Sequence, residues 1–410
     1  MKHIRYHQLI LLLLTLTLFA CGGKKSADSA NADSQNGLVT FHLNAPPSKV
    51  EPLLLSELAD SVSYVALETT KETLTTGGVQ YGDRYYTIIN EDRLLCFDKS
   101  GKYLHKIGRQ GQGPGEYPFM FDYSYFQVDP TNNWVYVTSN NCKLVYDENG
   151  KYIKSLTGEM WRFTPYFVYN DLAYFAPYFS RFEIIDGSTN QIVRNNKRLR
   201  EEMKTFLNEL SDKAKKEGKK EYISEGIAPV LSIYNDAVYY WCILLNDTVI
   251  MAKGKEVKPH CRIIPENKYK PEEMYGGNKN SKLLQPIIMK MYIFKDKILL
   301  FVHYYASIDD NSDNGYWVLC DFISGNVTYH SNYIINDLDG GPNILVPNSG
   351  IEDIYCLSVE DLKNDEEIYN SYFTEGVEAK LKDQEGKFQR LLKSLADDAN
   401  PIIRTIHWKE

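Results

Sequence analysis

Two segments of this chain, Asp98-Lys-Ser-Gly-Lys-Tyr-Leu-His-Lys-Ile107 and Asp147-Glu-Asn-Gly-Lys-Tyr-Ile-Lys-Ser-Leu156, repeat one pattern 49 positions apart. Each reads as a hairpin turn between two strands, with Gly supplying the positive φ that such a turn requires. A repeat of about fifty residues built on hairpins is the signature of a β-propeller. Radial repetition of four-stranded blades buries both faces of every sheet and leaves only short edges.

The rest of the chain can be laid out on that period. Asp60 to Glu68 alternates at period two and stands apart from any nearby hairpin partner, so it is expected to close the ring by pairing with strands from the C-terminus. Blade one is expected from Val79 to Ile107 and blade two from Phe126 to Leu156. A degenerate third copy spans Val168 to Val193, and blades four and five follow from Val230 to Met251 and from Ile287 to Tyr329. Strands of a sixth are placed at Ile351 to Val359 and Ile402 to Trp408. Two stretches break the strand pattern with apolar residues three or four apart. About 198–222 reads as an inserted amphipathic helix, and about 375–396 as a C-terminal helix with Val377, Leu381, Phe388, Leu391, Leu392 and Leu395 on one face. The fold class is therefore all-β, a six-bladed β-propeller over 41–410 with these two helices; seven blades is the nearest competitor.

The N-terminus sets the address. Lys2 and Arg5 precede the apolar run Leu9 to Phe19, the order of a secretory signal, and the run has only about half of the roughly 20 residues a bilayer crossing requires. Leu18-Phe19-Ala20-Cys21 looks like a bacterial lipobox, which implies cleavage after residue 20 and a lipid on Cys21. Residues 21–40, rich in Gly, Lys, Ser, Ala, Asp and Asn, read as a flexible tether between a membrane and a folded body. The expected location is the bacterial cell envelope, with the outer membrane as the anchoring surface.

Formal charge is −8 for the whole chain and −10 once the segment carrying Lys2 and Arg5 is gone. An acidic body disfavours nucleic acid as a partner. The basic run Lys213 to Lys220 alternates with Ala, Glu and Gly and reads as a solvated helix face. Six cysteines remain after Cys21 and none forms a Cys-Xaa-Xaa-Cys pair. Cys96, Cys242, Cys320 and Cys356 lie in apolar strand patterns and read as small buried hydrophobes. Disulfide pairing cannot be read from their spacing.

Directly after the first turn comes Ile107-Gly-Arg-Gln-Gly-Gln-Gly-Pro-Gly-Glu-Tyr117. With Val65-Ala-Leu-Glu-Thr-Thr70, the Asp-Xaa-Xaa-Gly-Lys turns and Leu245-Asn-Asp-Thr-Val249, this segment resembles the six-bladed propeller lipoproteins of gut Gram-negative anaerobes, relatives of NHL-repeat and TolB-like propellers. The resemblance spans most of the chain and implies a fold and an envelope address. That family has no general activity to lend.

Local motifs for chemistry are sparse. Gly108 to Gly115 is dense in glycine, but Pro114 and the missing Gly-Lys-Ser/Thr rule out a P-loop, and the glycines read as a blade linker. If the linker contacts a ligand, Arg109 and Glu116 would project to a propeller face. Asp310, Ser312, Asn314 and Asp321 meet a loose calcium-loop spacing, but the flanks read as strands and Asn314-Gly315 as a hairpin turn. No Gly-Xaa-Ser-Xaa-Gly or His-Glu-Xaa-Xaa-His occurs, and no cofactor is expected. Trp161 and Tyr166 fall in an aromatic loop and are candidates for stacking on a sugar or gripping a peptide.

The sequence thus supports a lipid-anchored binding or scaffold module for a glycan, peptide or envelope protein. The alternative is a hydrolase or lyase with its site in the central funnel, which would bring two or more ionisable groups with displaced pKa values into one concave pocket.

Overall fold

The structure is a computed structural model. It describes residues 32–35, 37–75, 79–81, 83–89, 93–117, 126–139, 142–158, 161, 167–175, 183–195, 212, 216, 230–241, 247–254, 256–266, 285–305, 315–345, 354–373 and 386–409. Six sheets form the blades of a propeller. Blade 1 comprises Val79–Tyr81, Tyr85–Ile89, Arg93–Phe97 and Tyr103–Ile107; blade 2 comprises Phe126–Asp129, Trp134–Ser139, Cys142–Tyr146 and Tyr152–Thr157. Blade 3 comprises Phe167–Tyr169, Leu172–Phe175, Glu183–Asp186 and Ile192–Asn195. Blade 4 comprises Val230–Tyr234, Ala237–Trp241, Thr248–Lys253 and Glu256–Pro265. Blade 5 comprises Gln285–Ile293, Lys297–Tyr305, Gly315–Asp321 and Val327–His330. Within each of these five the strands pair antiparallel in chain order.

Blade 6 joins the two ends of the chain. Ile354–Leu357 pairs with Ile402–Trp408, which pairs in turn with the N-terminal strand Ala59–Ala66, in the register Val65↔Ile403 and Ser63↔Thr405. The ring-closing strand expected from the sequence is therefore present. Its contact with the next blade repeats the contact between blades 1 and 2. Glu68 N–H donates to Gly101 O at 2.7 Å, and Gly108 N–H donates to Gly150 O at 3.1 Å. Each glycine sits in the outer hairpin turn of one blade, against the end of the previous blade's outermost strand. Neither tolerates a side chain: φ is +85° at Gly101 and +78° at Gly150, and a Cβ would lie 2.2 Å from Ala66 O or 2.3 Å from Lys106 O.

The core is divided among the blade junctions, which is what a closed wheel requires. Separate apolar clusters lie between blades 1 and 2 (Cys96 and Ile107 on Phe126 and Val137), 2 and 3 (Tyr136 and Val145 on Val168 and Ile185), and 3 and 4 (Tyr174 and Ile184 on Leu231 and Tyr240). Others lie between 4 and 5 (Cys261 and Ile263 on Leu300 and Val318), 5 and 6 (Phe301 and Trp317 on Tyr355 and Ile406), and 6 and 1 (Val65 and Ile403 on Leu95 and Phe97). Strand alternation sends successive residues to opposite junctions, so every blade is apolar on both faces.

Two features depart from the sequence reading. First, Ala32–Gln35 lies within the stretch read as tether and Leu38–Leu43 begins in it, and both are strands. Leu38–Leu43 adds in parallel to the outer edge of blade 4, with Phe41 opposite Ile263. Phe41 and Leu43 are buried in the junction of blades 4 and 5, and Glu266 N–H donates to Leu43 O. Second, the strand placed at Ile351 to Val359 ends at Leu357. Val359 opens helix α1 (Val359–Asn364), whose N-cap Ser358 accepts from Asp361 N–H, and α2 (Glu366–Tyr372) follows with Asp365 as N-cap. Of the C-terminal helix expected over about 375–396, the described part is Lys387–Ser394 (α3), with Phe388 and Leu392 buried on blade 6 and Leu391 and Leu395 half-buried beside them; 375–385 lie outside the described residues. The expected insertion at 198–222 lies outside the described residues except for Asp212 and Lys216, both helical.

Candidate binding face

An antiparallel meander puts the connections between strands one and two and between three and four at one end of the wheel, and all others at the opposite end. At the first end every connection in blades 1 to 5 is a tight turn: 82–84, 130–133, 170–171, 235–236 and 294–296, then 98–102, 147–151, 187–191, 254–255 and 322–326. At the second end the chain spends 108–125, 158–166, 196–229, 266–284 and 331–353 between blades. Ala59–Ala66 matches the outermost strand of blade 1 in its contact with the next blade, so Ile402–Trp408 is the third strand of blade 6 and Ile354–Leu357 the second. Helices α1 to α3 connect those two and therefore belong to the second end as well.

The turn end is held shut by its own polar groups. In four blades an aspartate carboxylate caps the outer turn. Asp98 accepts from Ser100 and Lys102 N–H, Asp147 from Asn149 and Lys151, Asp186 from Ser188 and Thr189, and Asp321 from Ile323 and Ser324. The Ser188 hydroxyl, with these backbone donors, holds Asp186 down to about 2. Inner turns are stitched from blade to blade. Asp83 N–H donates to Asn133 Oδ1 at 2.6 Å, and buried Asp129 takes Thr131 N–H and hydroxyl together with Asn170 and Asp171 N–H from blade 3. Tyr169 hydroxyl then donates to Asp236 of blade 4.

The glycine-rich linker lies at the loop end, and its geometry is structural. Glu116 folds back into the loop, accepts from Gly113 N–H at 2.8 Å and pairs with Arg109 Nη2 at 2.5 Å. A Cβ on Gly111 would lie 2.0 Å from Glu116 Oε2, and one on Gly108 would lie 2.5 Å from the Tyr146 ring. The Gly113 N–H first, then Arg109, holds the Glu116 carboxyl below the usual range. Glu116 is thus committed to its own loop, while the Arg109 side chain is 80% exposed. Trp161, expected to face a ligand, is a correction: it is 1% exposed in the junction of blades 2 and 3, and its Nε1–H donates to Asn190 Oδ1. A large ring in a linker serves packing when a junction has room for it. Asp321, offered for calcium, is occupied by its turn, and no cluster of three or more acidic, His or Cys residues suited to a metal occurs among the described residues. Cys21, Tyr166, Asp310, Ser312 and Asn314 lie outside the described residues.

A polar cluster that the sequence reading missed sits between blades 5 and 6, in the linker 336–343 and beside α3. Asp339 Oδ1 accepts from Asn336 Nδ2 at 2.8 Å, Gly341 N–H at 3.0 Å and Tyr64 hydroxyl at 3.3 Å. Arg404 is 2% exposed, lies 4.5 Å over the Tyr355 ring, and donates through Nη1 to Pro342 O and Asn343 O. Gln389 of α3 donates to Gly340 O. Asn336 Oδ1, Asp339 Oδ2, Gln389 Oε1 and Arg404 Nε are buried with no protein partner. Burial first, then the Asp339 charge, pushes the Tyr64 hydroxyl well up, so it stays a neutral donor. A lone arginine inside Ile402-Ile-Arg-Thr-Ile406 was the available signal, since a charge on a core strand demands partners. Its hydrogen-bond acceptors are more than sixty positions away in sequence, beyond any local motif.

An enzyme would gather displaced ionisable groups in one pocket. Among the described residues the large displacements belong to tyrosines and cysteines raised by burial, to Lys143 lowered by it and to Asp186 lowered by its turn, and they are spread over several blades. Cys96, Cys142, Cys261 and Cys320 are free thiols.

The crystal structure of a Bacteroides fragilis protein, presented by name as a candidate exported protein, superposes with a TM-score of 0.53 at 15% identity, covering 90% of this chain and 100% of that one. That likeness is one of fold. A Bacteroides vulgatus member of the DUF4221 family is more distant, with a TM-score of 0.42 at 10% identity over 86% of this chain and 98% of the other. No curated protein matches. The domain of unknown function DUF4934 matches residues 38–407, so nearly the whole folded body is accounted for, and the chain belongs to that family.

Proposed function

We propose that this protein is a lipid-anchored envelope propeller that binds a glycan, peptide or partner protein through its loop-bearing end, in kinship with the NHL-like and TolB-like lipoprotein propellers. The observation that carries the reading is the asymmetry of the wheel. One end is closed by short turns; the other receives the connections between blades and helices α1 to α3. Binding residues concentrate on loops held by a rigid scaffold, so the loop end is the face a partner would meet. Likeness to an exported protein supports an envelope address. The lipobox-like Leu18-Phe19-Ala20-Cys21 supports attachment through Cys21 to the outer membrane.

The test is a glycan and peptide array probed with the purified protein, followed by charge reversal at each end. Arg109→Glu at the loop end should abolish a discovered interaction, and Lys99→Glu in the blade 1 turn should leave it intact. Equal loss in both, or loss with Lys99→Glu alone, contradicts the assignment of the face. Metabolic labelling with a fatty acid, lost on Cys21→Ala, tests the anchor.

A further inference from the structure

We infer that the outer flank of blade 4 is the part of the propeller held nearest the membrane lipid surface, with blade 1 on the far side. The inference rests on the lipid anchor at Cys21 proposed above and deepens it. Leu38–Leu43 is seated on the outer edge of blade 4, and Ala32–Gln35 pairs outside it, so the chain leaves the wheel from that flank. The seat is firm. Phe41 and Leu43 are 0% and 1% exposed, and Asn44 O accepts from the Tyr304 and Tyr329 hydroxyls of blade 5. The chain is therefore fixed there before it continues to the ring-closing strand.

Only residues 22–31 separate Cys21 from the first strand. Ten residues span at most about 35 Å when fully extended. A folded body of this size is about 50 Å across. Such a tether reaches past the near flank but not around the wheel. In a six-membered ring blade 1 lies opposite blade 4. The register Ala32↔Phe41 and Phe41↔Ile263 places the start of the first strand toward the loop end of that flank.

The experiment uses the full lipidated chain in phosphatidylethanolamine/phosphatidylglycerol vesicles that carry a headgroup-linked rhodamine acceptor. A donor dye is attached through an azide-bearing side chain at Lys258 on blade 4 or at Lys102 on blade 1, both exposed. Energy transfer should be about twofold higher from position 258, given the diameter of the body. Insertion of about forty Gly-Ser residues between Asn31 and Ala32, which lengthens the tether without touching the fold, should erase the difference. Equal transfer from the two positions while the protein floats with the vesicles overturns the flank assignment and leaves the anchor standing. A difference that survives the insertion also overturns it, because the tether is then not what orients the body. Failure of the native chain to float overturns the anchor and this inference together.

Discussion

Lys143 offers a quantitative test of how the blade junctions are built. It lies on the third strand of blade 2, alternating with Val145, and is 0% exposed. Its ammonium donates to the Thr138 hydroxyl across the strand pair. Burial pushes its pKa from 10.5 down to about 7, with Cys142 acting the other way. The folded state thus binds the proton less tightly than the unfolded chain. Between pH 7 and 10.5 the unfolded chain holds more protons, so stability rises with pH in that window; below pH 7 the full cost of a buried charge is present. A displacement of this size corresponds to a cost on the order of 5 kcal/mol. Lys143→Met keeps the length of the side chain and removes the charge. In urea denaturation the variant should be more stable than the parent by about 2–4 kcal/mol at pH 6.5. That gain should shrink by roughly 1 kcal/mol per pH unit above pH 7. Comparing the two proteins at each pH cancels the titration of other groups. A variant less stable than the parent, or a difference that does not change with pH, refutes the reasoning.

Gly150→Ala places a Cβ 2.3 Å from Lys106 O at a φ of +78°, and should cost about 3 kcal/mol in thermal or urea unfolding. Gly254→Ala, at a φ of +55° with nothing within 4 Å, should cost only about 1 kcal/mol; equal losses would mean that blade contact does not matter. Asp129→Ala strips the acceptor from three backbone N–H groups and the Thr131 hydroxyl, joining blades 2 and 3, and should cost about 3 kcal/mol by the same assay. Asp186, with its folded pKa depressed to about 2 from 3.8, contributes stability that is present above pH 4 and lost as pH falls toward 2. Acid titration of Asp186→Asn should lack that component, and an unchanged acid profile would contradict the role of the turn.

The hairpin repeat and the isolated strand at Asp60 to Glu68 carried most of the architecture, because both express local rules: glycine at positive φ and period-two burial. The same turn was harder to see in blades 3 and 5. There Asn190 and Gly325 take the positive φ four residues after Asp186 and Asp321, instead of three as in the two clear copies. The turn chemistry is conserved in geometry while its spacing shifts by one. Leu38–Leu43 was obscured by a different cause. Its residues alternate well enough, but its partner is more than 200 positions away, and the polar stretch before it dominated the reading. The polar cluster around Arg404 and the burial of Trp161 are products of tertiary packing. A tryptophan in a linker and an asparagine in a turn carry no local mark of whether a junction encloses them.

Cross-linking between the two ends of the chain tests the closed wheel most directly. Ser63 and Thr405 face one another across the strands that join N- and C-terminal segments in blade 6, at a separation typical of paired strands and within disulfide reach. The double variant Ser63→Cys/Thr405→Cys, oxidised under native conditions, should form an intramolecular bond that shifts its mobility on a non-reducing gel. Failure to cross-link in a protein that is otherwise folded would contradict ring closure by Ala59–Ala66, and with it the six-bladed wheel.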